Sequence, residues 1–142
     1  VKVNNNVLKI LKEENIINEN YINSKFNLFA IEIKKLKEKL QNFKNQNVNV
    51  IGYGAPARLA TITNFGKIDN TLIRIIIDDS ELKSNRFSPG MHIPIKKFDS
   101  KEIQNTSTII LFAYEYFYSI RDKMANNNFK YYKPIPFIEM VK

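Results

Sequence analysis

The sequence predicts an α/β fold with a mostly parallel sheet covered by helices on both faces, preceded by an N-terminal helical segment. Three observations predict it. Apolar runs rich in β-branched residues recur from Val48 onwards: Val48-Asn49-Val50-Ile51, Leu72-Ile73-Arg74-Ile75-Ile76-Ile77, Thr108-Ile109-Ile110-Leu111-Phe112-Ala113 and Phe137-Ile138-Glu139-Met140-Val141. Segments of helical character separate them, which is the pattern of βαβ units. The first runs are mostly apolar rather than strictly alternating, with Asn49 and Arg74 as the polar exceptions, as expected of strands buried on both sides.

The elements follow in order. Residues 1–17 carry Val7, Leu8, Ile10, Leu11, Ile16 and Ile17 in a short amphipathic pattern interrupted at Asn15. Asn18 or Asn20 is a candidate N-cap for a longer helix, because the Asn side chain accepts hydrogen bonds from unpaired N–H groups. In that helix Phe26, Phe29, Ile33, Leu36, Leu40 and Phe43 recur at steps of three and four, one apolar stripe, with Lys34, Lys35, Lys37, Glu38 and Lys39 on the other faces. The stripe is too short for a coiled-coil seam, so packing on the domain is expected. Next come a strand at Val48–Ile51, a helix at Ala55–Phe65 with Gly66 as its C-cap, and the strands at 72–77 and 108–113. A helix over Tyr116–Asn126 and a final strand at 137–141, preceded by Pro134 and Pro136, complete the chain. The expected division is a helical lead-in over 1–45, packed on a domain that spans 46–142.

Composition narrows the function. The chain of 142 residues is long enough to bury a sizeable core. It has no Cys and a single His, which excludes disulfides and thiolate metal sites and makes a multi-histidine centre or a Ser–His triad improbable. No metal site is expected. The absence of Cys fits a reducing compartment, and a cytoplasmic location is expected. No apolar run approaches the roughly 20 residues that a membrane helix needs. The first residue is Val1, which suggests a piece of a longer polypeptide. The net charge of +8 is spread evenly: residues 1–44 hold nine Lys and five Glu, and the remainder thirteen bases and nine acids. Such a spread lacks the clustered basic face of a nucleic-acid binder.

The main chemical signal is Gly52-Tyr53-Gly54-Ala55-Pro56-Ala57-Arg58. A strand that turns on two glycines into a helix gathers unpaired backbone N–H groups at the positive end of a helix dipole, a setting that favours an anion such as phosphate. The Gly52-x-Gly54-x-x-Ala57 spacing also fits the dinucleotide-binding fingerprint, with Asp78 near the place of the ribose-binding acid. An NAD-binding Rossmann domain of an oxidoreductase is therefore one reading, and a non-enzymatic interaction domain whose glycines serve only packing is another. Pro56 removes one donor from the cradle and fits a first helical turn instead. Arg58 projects from that turn, where a guanidinium can fork onto phosphate oxygens.

A second cluster runs from Asp78-Asp79-Ser80 through Lys83 and Arg86-Phe87 to the Ser88-Pro89-Gly90 turn and Met91-His92-Ile93-Pro94-Ile95. It starts at the carboxyl end of a strand, the edge where ligands of open α/β sheets lie. Lys83 and Arg86 are candidates for phosphate and Phe87 for stacking on a base. His92 fits a structural place better than a catalytic one, since no partner acid stands at a suitable spacing. Tyr114-Glu115-Tyr116-Phe117-Tyr118 follows the third strand on the same edge, as pocket frame or as core.

Taken together, these blocks resemble the C-terminal domain of S-adenosylmethionine-dependent sugar C-methyltransferases. The similarity continues through Leu111-Phe112-Ala113-Tyr114-Glu115-Tyr116 and Tyr132-Lys133-Pro134-Ile135-Pro136, and so covers nearly the whole chain. The resemblance implies a Rossmann-like, three-layer α/β/α domain that does not use NAD. It implies a domain that helps to hold a nucleotide diphosphate-sugar, typically a thymidine one, while a separate preceding domain binds S-adenosylmethionine. The family's catalytic His and Tyr residues and its zinc-binding module precede this region, so no catalytic residue, and no cofactor in this chain, is expected, and the chain alone is expected to be inactive. Departures are Arg58 for a usual Lys, Leu59-Ala60 for a following Gly–Asn, and Asn85 for a usual Gly. The residues expected to line the substrate site are Gly52, Tyr53, Gly54, Ala55, Pro56, Arg58, Asp78, Lys83, Arg86, Phe87, His92 and Tyr114.

Overall fold

The computed structural model describes residues 5–13, 19–99, 101, 103–104, 106–124 and 128–141. Helices α1 (Asn5–Glu13) and α2 (Glu19–Asn45) lead into β1 (Asn49–Tyr53), α3 (Ala57–Gly66) and β2 (Ile76–Ile77). Then come β3 (Arg86–Phe87), β4 (Pro94–Lys96), β5 (Thr106–Leu111), a 3-10 turn at Tyr114–Tyr116, α4 (Phe117–Lys123), β6 (Lys130–Lys133) and β7 (Ile138–Met140). The strands form one sheet in the order β3-β4-β2-β1-β5-β6-β7. β4, β2, β1, β5 and β6 run parallel, and an antiparallel strand closes each edge. The α/β class expected from the sequence is the class observed.

Alternation along β1 explains the layers. Val50 packs into one core with Ile33, Leu36 and Leu40 of α2 and Leu59 and Ile62 of α3. Ile51 and Tyr53 point the other way, into a second core with Phe117 and Ile120 of α4, Leu111 and Tyr131. One face of α2 is thus spent on the domain. Ile33, Leu36 and Leu40 are buried, whereas Tyr21, Ile22, Phe26, Leu28 and Ile31, nearer its start, are exposed. Val7, Leu8 and Ile10 of α1 are exposed as well.

Several boundaries differ from the sequence reading. α2 begins at Glu19, so Asn20 lies inside the helix and not at its cap; Asn15 to Asn18 fall outside the described residues. α3 begins at Ala57 rather than Ala55, after Pro56 in an extended conformation. Its C-cap is Lys67, left-handed at φ 48°, and not Gly66. Gly66 stays in the helix because a Cβ there would lie 2.9 Å from Ile33 Cγ2, where α2 and α3 touch. Of the run 72–77 only Ile76 and Ile77 form a strand, although the Arg74 amide and the Ile75 carbonyl already bond to β1; Leu72 and Ile73 are buried in the connecting turn instead. The helix expected over 116–126 starts with a 3-10 turn, and α4 itself ends at Lys123.

Burial predicts a contrast along α2. Leu36→Ala, at a fully buried position, is expected to cost about 2–5 kcal/mol. Leu28→Ala, exposed on the same helix, is expected to stay within about 0.5 kcal/mol. Urea unfolding of the two variants checks this.

Candidate substrate-binding site

β1 lies between β2 and β5, and the chain reverses direction across the sheet at the β1/β5 pair. Ligands of open α/β sheets lie beyond the carboxyl ends of the strands at such a reversal. Here that edge consists of the turn 54–56, the start of α3, the loop after β2, and Ala113 to Glu115 after β5.

The glycines have separate jobs. Gly52 is buried within β1, where a Cβ would press on Ile76 and on Phe112. Gly54 takes φ 85° and lies so close to Ala113 that a Cβ would collide with the Ala113 side chain. Both therefore serve close packing, and the backbone, not a side chain, reaches the site. The Gly54 amide donates to the Ile77 carbonyl at 2.7 Å.

Asp78 anchors the turn. Its Oδ2 accepts the Ala55 amide at 2.6 Å, and its Oδ1 accepts the Ser80 amide at 2.9 Å. Lys83 Nζ stands 3.5 Å from Oδ2. With both oxygens engaged and only 7% of the residue exposed, this carboxylate does not have the free position of a ribose-binding acid. It also removes Ala55 from the set of free donors. The amides of Ala57 and Arg58, in the first turn of α3, have no acceptor among the described residues and point out of the helix start. Asp79 faces the opposite layer: it accepts the Tyr53 hydroxyl at 2.9 Å and pairs with Lys123 of α4. Burial, followed by that bond, pushes the Tyr53 phenol well above the ordinary tyrosine range.

The start of α3 has two flanks. On the β2 side a cleft of about 270 Å³ runs between the helix and the β3–β4 loop. Pro56, Ala57, Ala60 and Pro89 give it apolar walls, with Lys83, Arg86 and Phe87 at its rim. Phe87 is 63% exposed, a flat ring without a cover, and Arg86 has no ion pair among the described residues. Asn64 fastens the loop to α3, its amide donating to the carbonyls of Pro89 at 2.9 Å and Ala60 at 2.7 Å. Asn85 takes φ 59°, a left-handed position that Asn tolerates better than most residues. His92 is an exposed turn residue at φ 52°, does not line the cleft, and donates its amide to the Ser88 carbonyl.

On the β5 side stands Arg58. Its Nη1 lies 2.5 Å from Glu115 Oε1 and its guanidinium lies over the Tyr114 ring, 4.6 Å from the centroid. The bond to Glu115 raises the Arg58 pKa. The Glu115 carboxyl is held below the usual range, by its own backbone amide first and then by Arg58. Lys133, at the end of β6, places its Nζ 4.4 Å from the same ring centroid.

A family model for the C-methyltransferase C-terminal domain matches residues 1–136. The chain belongs to that family. No curated protein matches it by sequence. Membership agrees with the resemblance drawn from the glycine turn and the blocks at 78–95 and 111–116, and a C-terminal domain of a methyltransferase implies a partner domain. Among the described residues no helix of this domain is long and apolar enough to cross a membrane, and no three His, Asp or Glu side chains gather as a metal would require.

The site residues expected from the sequence therefore divide. Ala55, Pro56, Lys83, Arg86 and Phe87 share the first cleft; Arg58 and Tyr114 share the second flank; Gly52, Gly54, Tyr53 and Asp78 build the frame; His92 belongs to none of these and sits in an exposed turn. Sequence reasoning missed Glu115 and Lys133 as charged partners of Arg58 and Tyr114. Glu115 meets Arg58 only because β1 and β5 pair in parallel, and no local pattern in the aromatic run 114–118 signals that contact.

If Asp78 anchors the turn, Asp78→Ala should lower stability by about 2–3 kcal/mol, because two backbone donors lose a charged acceptor. Asp78→Asn, which keeps one carbonyl acceptor, should lose less. Chemical denaturation of the three proteins measures the difference.

Proposed function

We propose that this domain is the substrate-binding part of a sugar C-methyltransferase and holds a nucleotide diphosphate-sugar across the carboxyl edge of its sheet. The diphosphate rests on the free amides of Ala57 and Arg58 and on the Arg58 guanidinium. The base lies in the apolar cleft against Phe87 and Pro89, with Arg86 and Lys83 at its rim. S-adenosylmethionine belongs to a preceding domain of the same polypeptide, so this chain positions the acceptor and transfers no methyl group by itself. The setting is deoxysugar biosynthesis in the cytoplasm.

The observation that carries the reading is the junction at α3. Two unpaired amides, a guanidinium and an apolar slot with a bare aromatic ring meet at one helix start. This is the combination that a charged group joined to a flat ring needs. The position of Asp78 weighs against NAD, since its oxygens are already used by the turn and by Ser80.

Titration calorimetry with thymidine diphosphate-glucose tests the proposal. The wild-type chain is expected to bind it, and Arg58→Ala to weaken it about ten- to a hundredfold, or roughly 1.5–3 kcal/mol. NAD binding tighter than the sugar nucleotide, or no binding of either at millimolar concentration, would refute it. The chain incubated with S-adenosylmethionine and a sugar nucleotide is expected to give no methylated product by mass spectrometry.

A further inference from the structure

Tyr114 brings two positive groups together. It lies just beyond β5, Arg58 in the first turn after β1, and Lys133 at the end of β6, so the three come from the carboxyl ends of adjacent parallel strands. Arg58 and Lys133 lie 4.6 Å and 4.4 Å from one ring centroid. A tyrosine face attracts cations, which offsets part of their mutual repulsion. The remaining repulsion calls for an anion, and Glu115 supplies one: its carboxylate bonds Arg58 at 2.5 Å and also feels Lys133.

This ion pair is not built like a permanent one. The Arg58 and Glu115 side chains are 37% and 46% exposed, and Lys133 forms no ion pair among the described residues. Ion pairs this exposed contribute little to stability, so the contact is readily given up. A diphosphate offers more charge than one carboxylate and more oxygens for the guanidinium fork. The amides of Ala57 and Arg58 open at the same helix start. We propose that Arg58 and Lys133, braced on Tyr114, form a two-cation clamp for a diphosphate, and that Glu115 is its resident occupant, displaced when the ligand arrives. The clamp deepens the nucleotide-sugar reading by adding Lys133 as a phosphate-binding residue and Glu115 as an internal competitor. For a bare diphosphate it does not depend on the identity of base or sugar.

Calorimetric titration of the full chain with inorganic pyrophosphate, and separately with thymidine diphosphate-glucose, at one ionic strength tests the clamp. Lys133→Ala is expected to weaken pyrophosphate binding about five- to tenfold. Glu115→Gln is expected to tighten it about three- to fivefold, because the occupant loses its charge. Glu115→Ala should act in the same direction, and thermal melts of all variants show that each is folded. Pyrophosphate affinity unchanged by Lys133→Ala, or unchanged or lowered by both Glu115 variants, overturns the clamp. So does failure of every protein to bind pyrophosphate. If the variants behave as expected while the sugar nucleotide binds no tighter than pyrophosphate, the clamp stands and the nucleotide-sugar reading falls. If the sugar nucleotide binds and neither substitution alters either ligand, the reading stands and the clamp falls.

Discussion

The arrangement of the site depends on the hydrogen bond from the Ala55 amide to the Asp78 carboxylate. Beta strands in a parallel sheet end with unpaired donors, and the turn after β1 would otherwise present several of them at once. The Gly54 amide is taken by the Ile77 carbonyl and the Ala55 amide by Asp78, both at the end of β2. Pro56 has no amide to offer. What remains is the pair Ala57 and Arg58, so the positive end of α3 is focused on one spot rather than spread along the turn. A carboxylate this close to the start of α3 would repel an anion bound there. Lys83, at 3.5 Å from Asp78, offsets part of this repulsion.

The two flanks of α3 differ in character because β1 has different neighbours. Towards β2 the following loop folds back through β3 and β4 and is pinned to α3 by Asn64, which leaves an apolar slot with cations only at its rim. Towards β5 the chain enters a 3-10 turn at once and presents Tyr114 and Glu115 to Arg58. One side thus suits a ring, the other a charge, and the first turn of α3 contributes to both. The opposite layer is tied together by Tyr53, Asp79 and Lys123, and it reaches this edge where Ala113 and Tyr114 pack against its core.

Much of this was legible in the sequence. β1 and β5 announce themselves as apolar runs, the stripe of α2 gives its buried face at Ile33, Leu36 and Leu40, and the glycine turn marks the passage from β1 into α3. β3 and β4 were not legible, since strands of two and three residues, one of them starting at Pro94, carry no period to detect. β6 was hidden because its Tyr131 and Tyr132 face opposite cores, so neither alternation nor a continuous aliphatic run appears. The left-handed cap fell one residue later than the glycine suggested, because Gly66 is needed for the contact with Ile33. Arg58 was visible as a candidate, but its carboxylate partner stands far along the chain, and only the parallel pairing of β1 with β5 brings Glu115 beside it.

The central claim is that an anionic ligand meets the two free amides of α3. Backbone amide NMR during a titration with thymidine diphosphate tests it most directly. The largest shift changes should fall on Ala57 and Arg58, while the Ala55 amide, committed to Asp78, moves little. Unmoved Ala57 and Arg58 resonances, with the main changes at Asn70 and Thr71 in the cleft at the far end of the sheet, would contradict it.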